Sequence, residues 1–104
     1  MRFKDGAKIS ISLQPEILDT FLEIQRACDE YGVDFVVTSG VEGRHKENSK
    51  HYEGLAIDVR SREFIDGSKG KECASFCETL RERLDSAYEI IQESNHIHIE
   101  YDPV

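Results

Sequence analysis

Long apolar runs are missing from this chain. No segment approaches the roughly 20 residues needed to cross a bilayer as a helix. The start, Met1-Arg2-Phe3-Lys4-Asp5-Gly6-Ala7-Lys8, has no apolar stretch of signal-peptide length either. The expectation is a protein that is cytoplasmic as synthesised and has no membrane partner. Positive charge is also scarce: 13 lysines and arginines stand against 21 acidic residues, for a net charge of -8. Nucleic acid and anionic membranes both require a basic footprint, so neither is an expected partner. Cysteine is limited to Cys28, Cys73 and Cys77, an odd number with each residue inside a predicted helix. They are read as reduced core or boundary thiols and not as a disulfide framework. Cys73 and Cys77 lie one helical turn apart, but no third thiol or histidine sits near them in sequence to complete a metal site. Repeats, low-complexity tracts and linkers are absent as well, which leaves one domain over residues 1–104 with one core.

What is present reads as alternating helices and short strands. Lys8 to Leu13 alternates polar and apolar residues like a short strand or extended arm. Pro15 suits a first helical turn, and Ile17, Leu18, Phe21, Leu22, Ile24, Cys28 and Tyr31 recur at helical spacing until Gly32. Val33 to Val37 is rich in β-branched and aromatic residues and predicts a buried strand. A polar loop follows from Ser39 to Lys50, and then a strand in which Leu55, Ile57 and Val59 face one way while Ala56 and Asp58 face the other. Cys73, Cys77, Leu80 and Leu84 predict a second amphipathic helix ending near Ala87. Tyr88 to Ile91 and Asn95 to Tyr101 read as two strands joined at Glu93-Ser94-Asn95.

The chemistry concentrates in two places. Ser49-Lys50-His51-Tyr52-Glu53-Gly54-Leu55-Ala56-Ile57-Asp58 offers an imidazole and a carboxylate in a turn followed by a strand. Near the C-terminus, His96 and His98 alternate with Ile97 and Ile99, so the histidines share the face opposite the isoleucines. A lone carboxylate on the sheet needs a partner, and a metal is one that supplies both charge and ligand geometry. His51, Asp58 and His98 would supply three zinc ligands of nitrogen and carboxylate oxygen, with a fourth position left for water. Glu93 is the candidate proton acceptor for that water. The bland alternative is a polar strand face with two histidines and an aspartate that needs no metal.

Ser49-x-His51-x-x-Gly54-x-Ala56-x-Asp58, followed by Glu93-x-x-His96-x-His98, resembles the two signature motifs of the zinc D-Ala-D-Ala carboxypeptidase family. Phage L-alanyl-D-glutamate endopeptidases and the N-terminal domain of Hedgehog proteins share that fold, and the runs 49–58 and 93–98 are especially similar to the Hedgehog version. The resemblance implies Zn2+ as cofactor, His51, Asp58 and His98 as its ligands, and His96 as a second-shell or oxyanion-stabilising catalytic group. It also implies Arg44 as a clamp for a substrate carboxylate. Asn95 stands where many such peptidases carry an acid three residues before the last zinc histidine, leaving Glu93 as the nearest carboxylate. Glu42, Glu47 and Asn48 are a thin counterpart of the Hedgehog calcium cluster, since a good site needs about six to eight oxygens.

The expected fold class is α+β, a small, mainly antiparallel sheet with the site on one face and two helices on the other. The expected function is a zinc metallopeptidase acting on peptidoglycan stem peptides, by D-Ala-D-Ala carboxypeptidase or L-Ala-D-Glu endopeptidase chemistry and possibly phage-encoded. Access to the wall would then come through lysis or carriage in a virion. The alternative is a catalytically weak or inactive zinc-binding interaction domain of the Hedgehog-like type.

Overall fold

The computed structural model describes residues 1–4, 13–39 and 54–103. In chain order the elements are β1 (Arg2–Phe3), α1 (Pro15–Leu18), α2 (Phe21–Tyr31), β2 (Val36–Ser39), β3 (Ala56–Arg60), α3 (Lys71–Arg83), β4 (Tyr88–Gln92) and β5 (His96–Tyr101). The strands form one sheet of order β1-β2-β3-β5-β4. Only β1 and β2 pair in parallel; the other three pairings are antiparallel. The protein is therefore α+β with a mainly antiparallel sheet.

Alternation within the strands decides which face meets the helices. Val37, Ile57, Val59, Ile90, Ile97 and Ile99 project into one core with Ile24, Ala27 and Cys28 of α2 and Cys73, Phe76, Cys77 and Leu80 of α3. Burying each large aliphatic side chain contributes about 1.5–3 kcal/mol, so this one face supplies most of the apolar driving force. Tyr31 joins the two helices, with its hydroxyl 2.8 Å from Ser75 Oγ and 3.1 Å from Thr79 Oγ1. Arg81 donates to the Ile90 carbonyl at 2.6 Å and so ties α3 to β4. Being third in a five-stranded sheet, β3 has Ala56, Ile57, Asp58 and Val59 all buried.

The structure revises several element boundaries. The helix expected from Pro15 to Gly32 is two helices, because Thr20 turns its hydroxyl back onto the Ile17 carbonyl at 2.7 Å and its amide bonds the same oxygen at 3.0 Å. Gly32, at φ 68°, ends α2 in the left-handed region and lets the Val33 amide close on the Cys28 carbonyl. The strand expected over Val33 to Val37 begins at Val36, and α3 stops at Arg83. The extended arm at Lys8 to Leu13 lies outside the described residues except for Leu13, which is buried in the core. Gly54 takes φ 73°, as the tight turn into β3 required. Among the described residues, no helix is long and apolar enough to cross a membrane.

All three thiols are buried in the helix–sheet core. Burial pushes Cys28 and Cys77 up to about 12 and raises Cys73 as well. The thiolate is the reactive form, so the native protein should resist iodoacetamide at about pH 8 and take up label on all three thiols only when denatured. Intact-mass measurement of native and denatured samples checks this; rapid native labelling of Cys73 or Cys77 would show that α3 does not seal the core.

Candidate metal centre

The antiparallel register of β3 against β5 sets Asp58 opposite His98 and Arg60 opposite His96. Directly opposed residues share a sheet face, so these four side chains stand together, away from the helices. The alternation that sends Ile97 and Ile99 into the core is what holds His96 and His98 on this face.

His98 is held between two carboxylates. Its Nδ1 lies 3.1 Å from Asp58 Oδ1, and its Nε2 lies 2.6 Å from Glu100 Oε1. The His98 and Asp58 side chains are only 15% and 13% exposed, so neither charge is well solvated and each relies on the other. The hydrogen bond that His98 donates to Asp58 raises the His98 pKa to about 9, against desolvation that lowers it and with a second raising contribution from Glu100. His96 lies further along the same strand face, with Nδ1 2.6 Å from Asn95 Oδ1 and Nε2 3.6 Å from Asp58 Oδ1. An amide oxygen only accepts, so His96 donates from Nδ1; in the neutral ring, Nε2 keeps its lone pair on the Asp58 side.

A carboxylate oxygen and an imidazole nitrogen are both ligand types that zinc accepts. Two ligand atoms each about 2.0–2.1 Å from a tetrahedral ion are about 3.3 Å apart. The 3.1 Å between Asp58 Oδ1 and His98 Nδ1 is close to that span and is equally an ordinary hydrogen-bond length. With an ion between them, Glu100 would accept the remaining His98 N–H, as carboxylates behind metal-bound histidines do. His51, the third expected ligand, and Arg44, the expected clamp, lie outside the described residues, as do Glu42, Glu47 and Asn48.

Glu93 is not placed with these groups. It is exposed at the turn before β5, where its amide donates to the His96 carbonyl at 2.9 Å. It lines a cavity of about 300 Å³ with Lys69, Gln92 and Ser94. A different cavity, of about 270 Å³, opens beside Asp58 and His96 and is walled by Lys4, Thr38, Arg60, Arg62 and Asn95. Of these, Arg60 was legible two residues after Asp58 on the same strand face; nothing local marks Lys4. Glu89, Glu100 and Asp102 also bring carboxylate oxygens within 4.8 Å of one another. Three carboxylates fall short of the six to eight oxygens of a typical calcium site.

The His98 shift has a definite sign. Its pKa rises from 6.5 to about 9 on folding, so the stability it contributes to the metal-free protein is fully present below pH 6.5 and is lost as pH rises through about 9. A His98→Gln variant should lose that dependence, and NMR titration of the wild-type imidazole should give a midpoint near 9. A midpoint near the ordinary value of about 6.5 would mean that the Asp58 contact does not persist in solution.

Comparison with protein-family models, with curated proteins and with solved structures finds no match to this chain.

Proposed function

We propose that this protein is a zinc metallopeptidase hydrolysing a peptide bond in peptidoglycan stem peptides, of the D-Ala-D-Ala carboxypeptidase or L-Ala-D-Glu endopeptidase type. The observation that supports this most directly is that β3 and β5 bring two of the expected ligands together, with Asp58 Oδ1 and His98 Nδ1 3.1 Å apart and Glu100 on the other side of the ring. His51 would complete the ligand set. Zinc, when bound, supplies Lewis-acid polarisation of the scissile carbonyl and lowers the pKa of water. The chain's own residues would orient the substrate and move the proton. Arg44 would hold a substrate carboxylate in bidentate fashion.

Proton transfer is assigned to His96 ahead of Glu93. His96 lines the cavity that contains Asp58, and with Asn95 accepting from Nδ1 its Nε2 is the basic atom. Glu93 opens into the other cavity. The second reading is a zinc-binding interaction domain with little or no catalysis, favoured by Asn95 at the position of the usual acid and by the separate placement of Glu93.

Two measurements on the purified protein separate these readings: metal content, and amide hydrolysis on stem peptides and D-alanyl dipeptides. The peptidase reading expects one zinc per chain, lost in His51→Ala and Asp58→Asn. Glu100→Gln should weaken zinc affinity by about 10–100-fold through His98. His96→Gln should keep zinc and lose about 10²-fold or more of the hydrolysis rate, with Glu93→Gln much less affected. The reverse pattern would return the base to Glu93. Stoichiometric zinc without hydrolysis would establish the interaction domain instead, and absence of zinc binding would remove both readings.

A further inference from the structure

Among the described residues β4 forms one edge of the sheet, and an edge strand presents backbone groups that no neighbouring strand pairs. The register decides which groups those are. The Glu93 amide donates to the His96 carbonyl and the Asp102 amide to the Ala87 carbonyl, so Ala87, Glu89, Ile91 and Glu93 are the residues that bond to β5. Tyr88, Ile90 and Gln92 therefore turn their N–H and C=O groups away from the sheet.

Two of these outward groups are occupied from within the chain. The Tyr88 amide donates to the Asp85 carbonyl at 3.0 Å. The Ile90 carbonyl accepts from Arg81 Nη2 at 2.6 Å. Arg81 stands in the last turn of α3, and its other terminal nitrogen pairs with Glu78 one turn back, which holds the guanidinium over the strand. A cationic donor makes the stronger, charge-assisted kind of hydrogen bond. The Ile90 amide and the main-chain groups of Gln92 have no partner among the described residues.

Without the guanidinium this edge would fit a second copy of itself. Antiparallel pairing about a two-fold axis at Ile90 sets Ile90 opposite Ile90 of the second copy and Tyr88 opposite its Gln92, and these are the outward-bonding residues of the strand. The isoleucines would exchange N–H···O bonds, and each Gln92 amide would reach the Tyr88 carbonyl of the other copy. On the polar face Glu89 comes beside Ile91 of the second copy, so no like charges meet directly. Everything in that pairing is centred on the Ile90 carbonyl, which is the atom that Arg81 holds. We propose that Arg81 guards this edge, its guanidinium barring β4 from adding to β4 of a second copy. The guard acts whatever the polar face binds, so it stands apart from the peptidase reading.

Amide hydrogen exchange on the whole chain tests this, comparing about 1 mM with about 0.01 mM protein in salt that screens the net charge of -8. In the wild type the Ile90 amide should exchange at one rate at both concentrations. In Arg81→Met it should exchange about ten-fold more slowly at the higher concentration, together with the Gln92 amide, and sedimentation should show a dimer. Arg81→Lys keeps a cationic donor and should behave as the wild type. The Glu89 and Ile91 amides, bonded to β5, should stay protected throughout and so report an intact fold. A merely structural role for Arg81 would loosen α3 from β4 and speed exchange, and would not slow it at outward amides. An Ile90 rate in Arg81→Met that ignores concentration, or a concentration dependence already present in the wild type, would overturn the proposal. If Arg81→Met loses protection at Glu89 and Ile91, the same comparison with Arg81→Gln decides, and a loss of protection there too would make Arg81 part of the fold and overturn the guard.

Discussion

Everything on the polar face of this sheet depends on a carboxylate placed where water is scarce. Asp58 sits on the central strand with 13% of its side chain exposed, and an unpaired charge there would cost several kcal/mol. The register that places His98 opposite Asp58 answers that cost, and it also fixes the rest: Arg60 beside His96, and Ala56 beside Glu100. Slipping β5 by one residue would send Ile97 and Ile99 to the polar face and the histidines into the helices. The core and the site therefore enforce the same register. Ile97 and Ile99 bury on one side because His96 and His98 cannot, and the ion pair forms on the other because the isoleucines hold the strand in place.

The same contact sets up a competition. Without metal, His98 Nδ1 donates to Asp58 Oδ1, and the two carboxylates on either side of the ring push the His98 pKa up to about 9. Zinc would need that nitrogen's lone pair, so metal binding must expel the proton. The protonation limit on affinity is thus set by the folded site and not by free imidazole near pH 6.5. A site that satisfies itself with a proton stays folded and ordered without metal. Any ion taken up there would bind less tightly in the neutral range than at a nitrogen without that proton.

Much of this arrangement could be read from the chain. The alternation His96-Ile97-His98-Ile99, the spacing of Cys73, Cys77 and Leu80, and Asp58 opposite Ile57 and Val59 are local patterns of period two or three to four. Each of these survives in the structure. What escaped was marked by no periodicity in the sequence. The parallel pairing of Arg2–Phe3 with β2 brings Lys4 to the site, and no two-residue strand has a periodicity to detect. The break at Asp19 and Thr20 depends on a single hydroxyl turning back on the Ile17 carbonyl, inside a stretch whose apolar spacing reads as continuous helix. Glu93 stands just before the histidines in sequence, but the hairpin turn sets it in a different cavity, with Lys69, Gln92 and Ser94.

The roles of the remaining polar groups follow from counting lone pairs. If zinc takes His98 Nδ1, Nε2 keeps its proton, and Glu100 at 2.6 Å accepts it. A carboxylate occupied in that way orients the ligand, so Glu100 is a poor choice for accepting a second proton from water. His96 has the opposite arrangement. Asn95 Oδ1 takes the proton of Nδ1, and the lone pair of Nε2 is left on the side of Asp58. Asparagine rather than an acid at position 95 thus does not leave this face without a basic atom. Asparagine cannot accept a proton from water, but its side-chain oxygen selects the tautomer of the imidazole next to it and leaves Nε2 of His96 as the ring's acceptor atom.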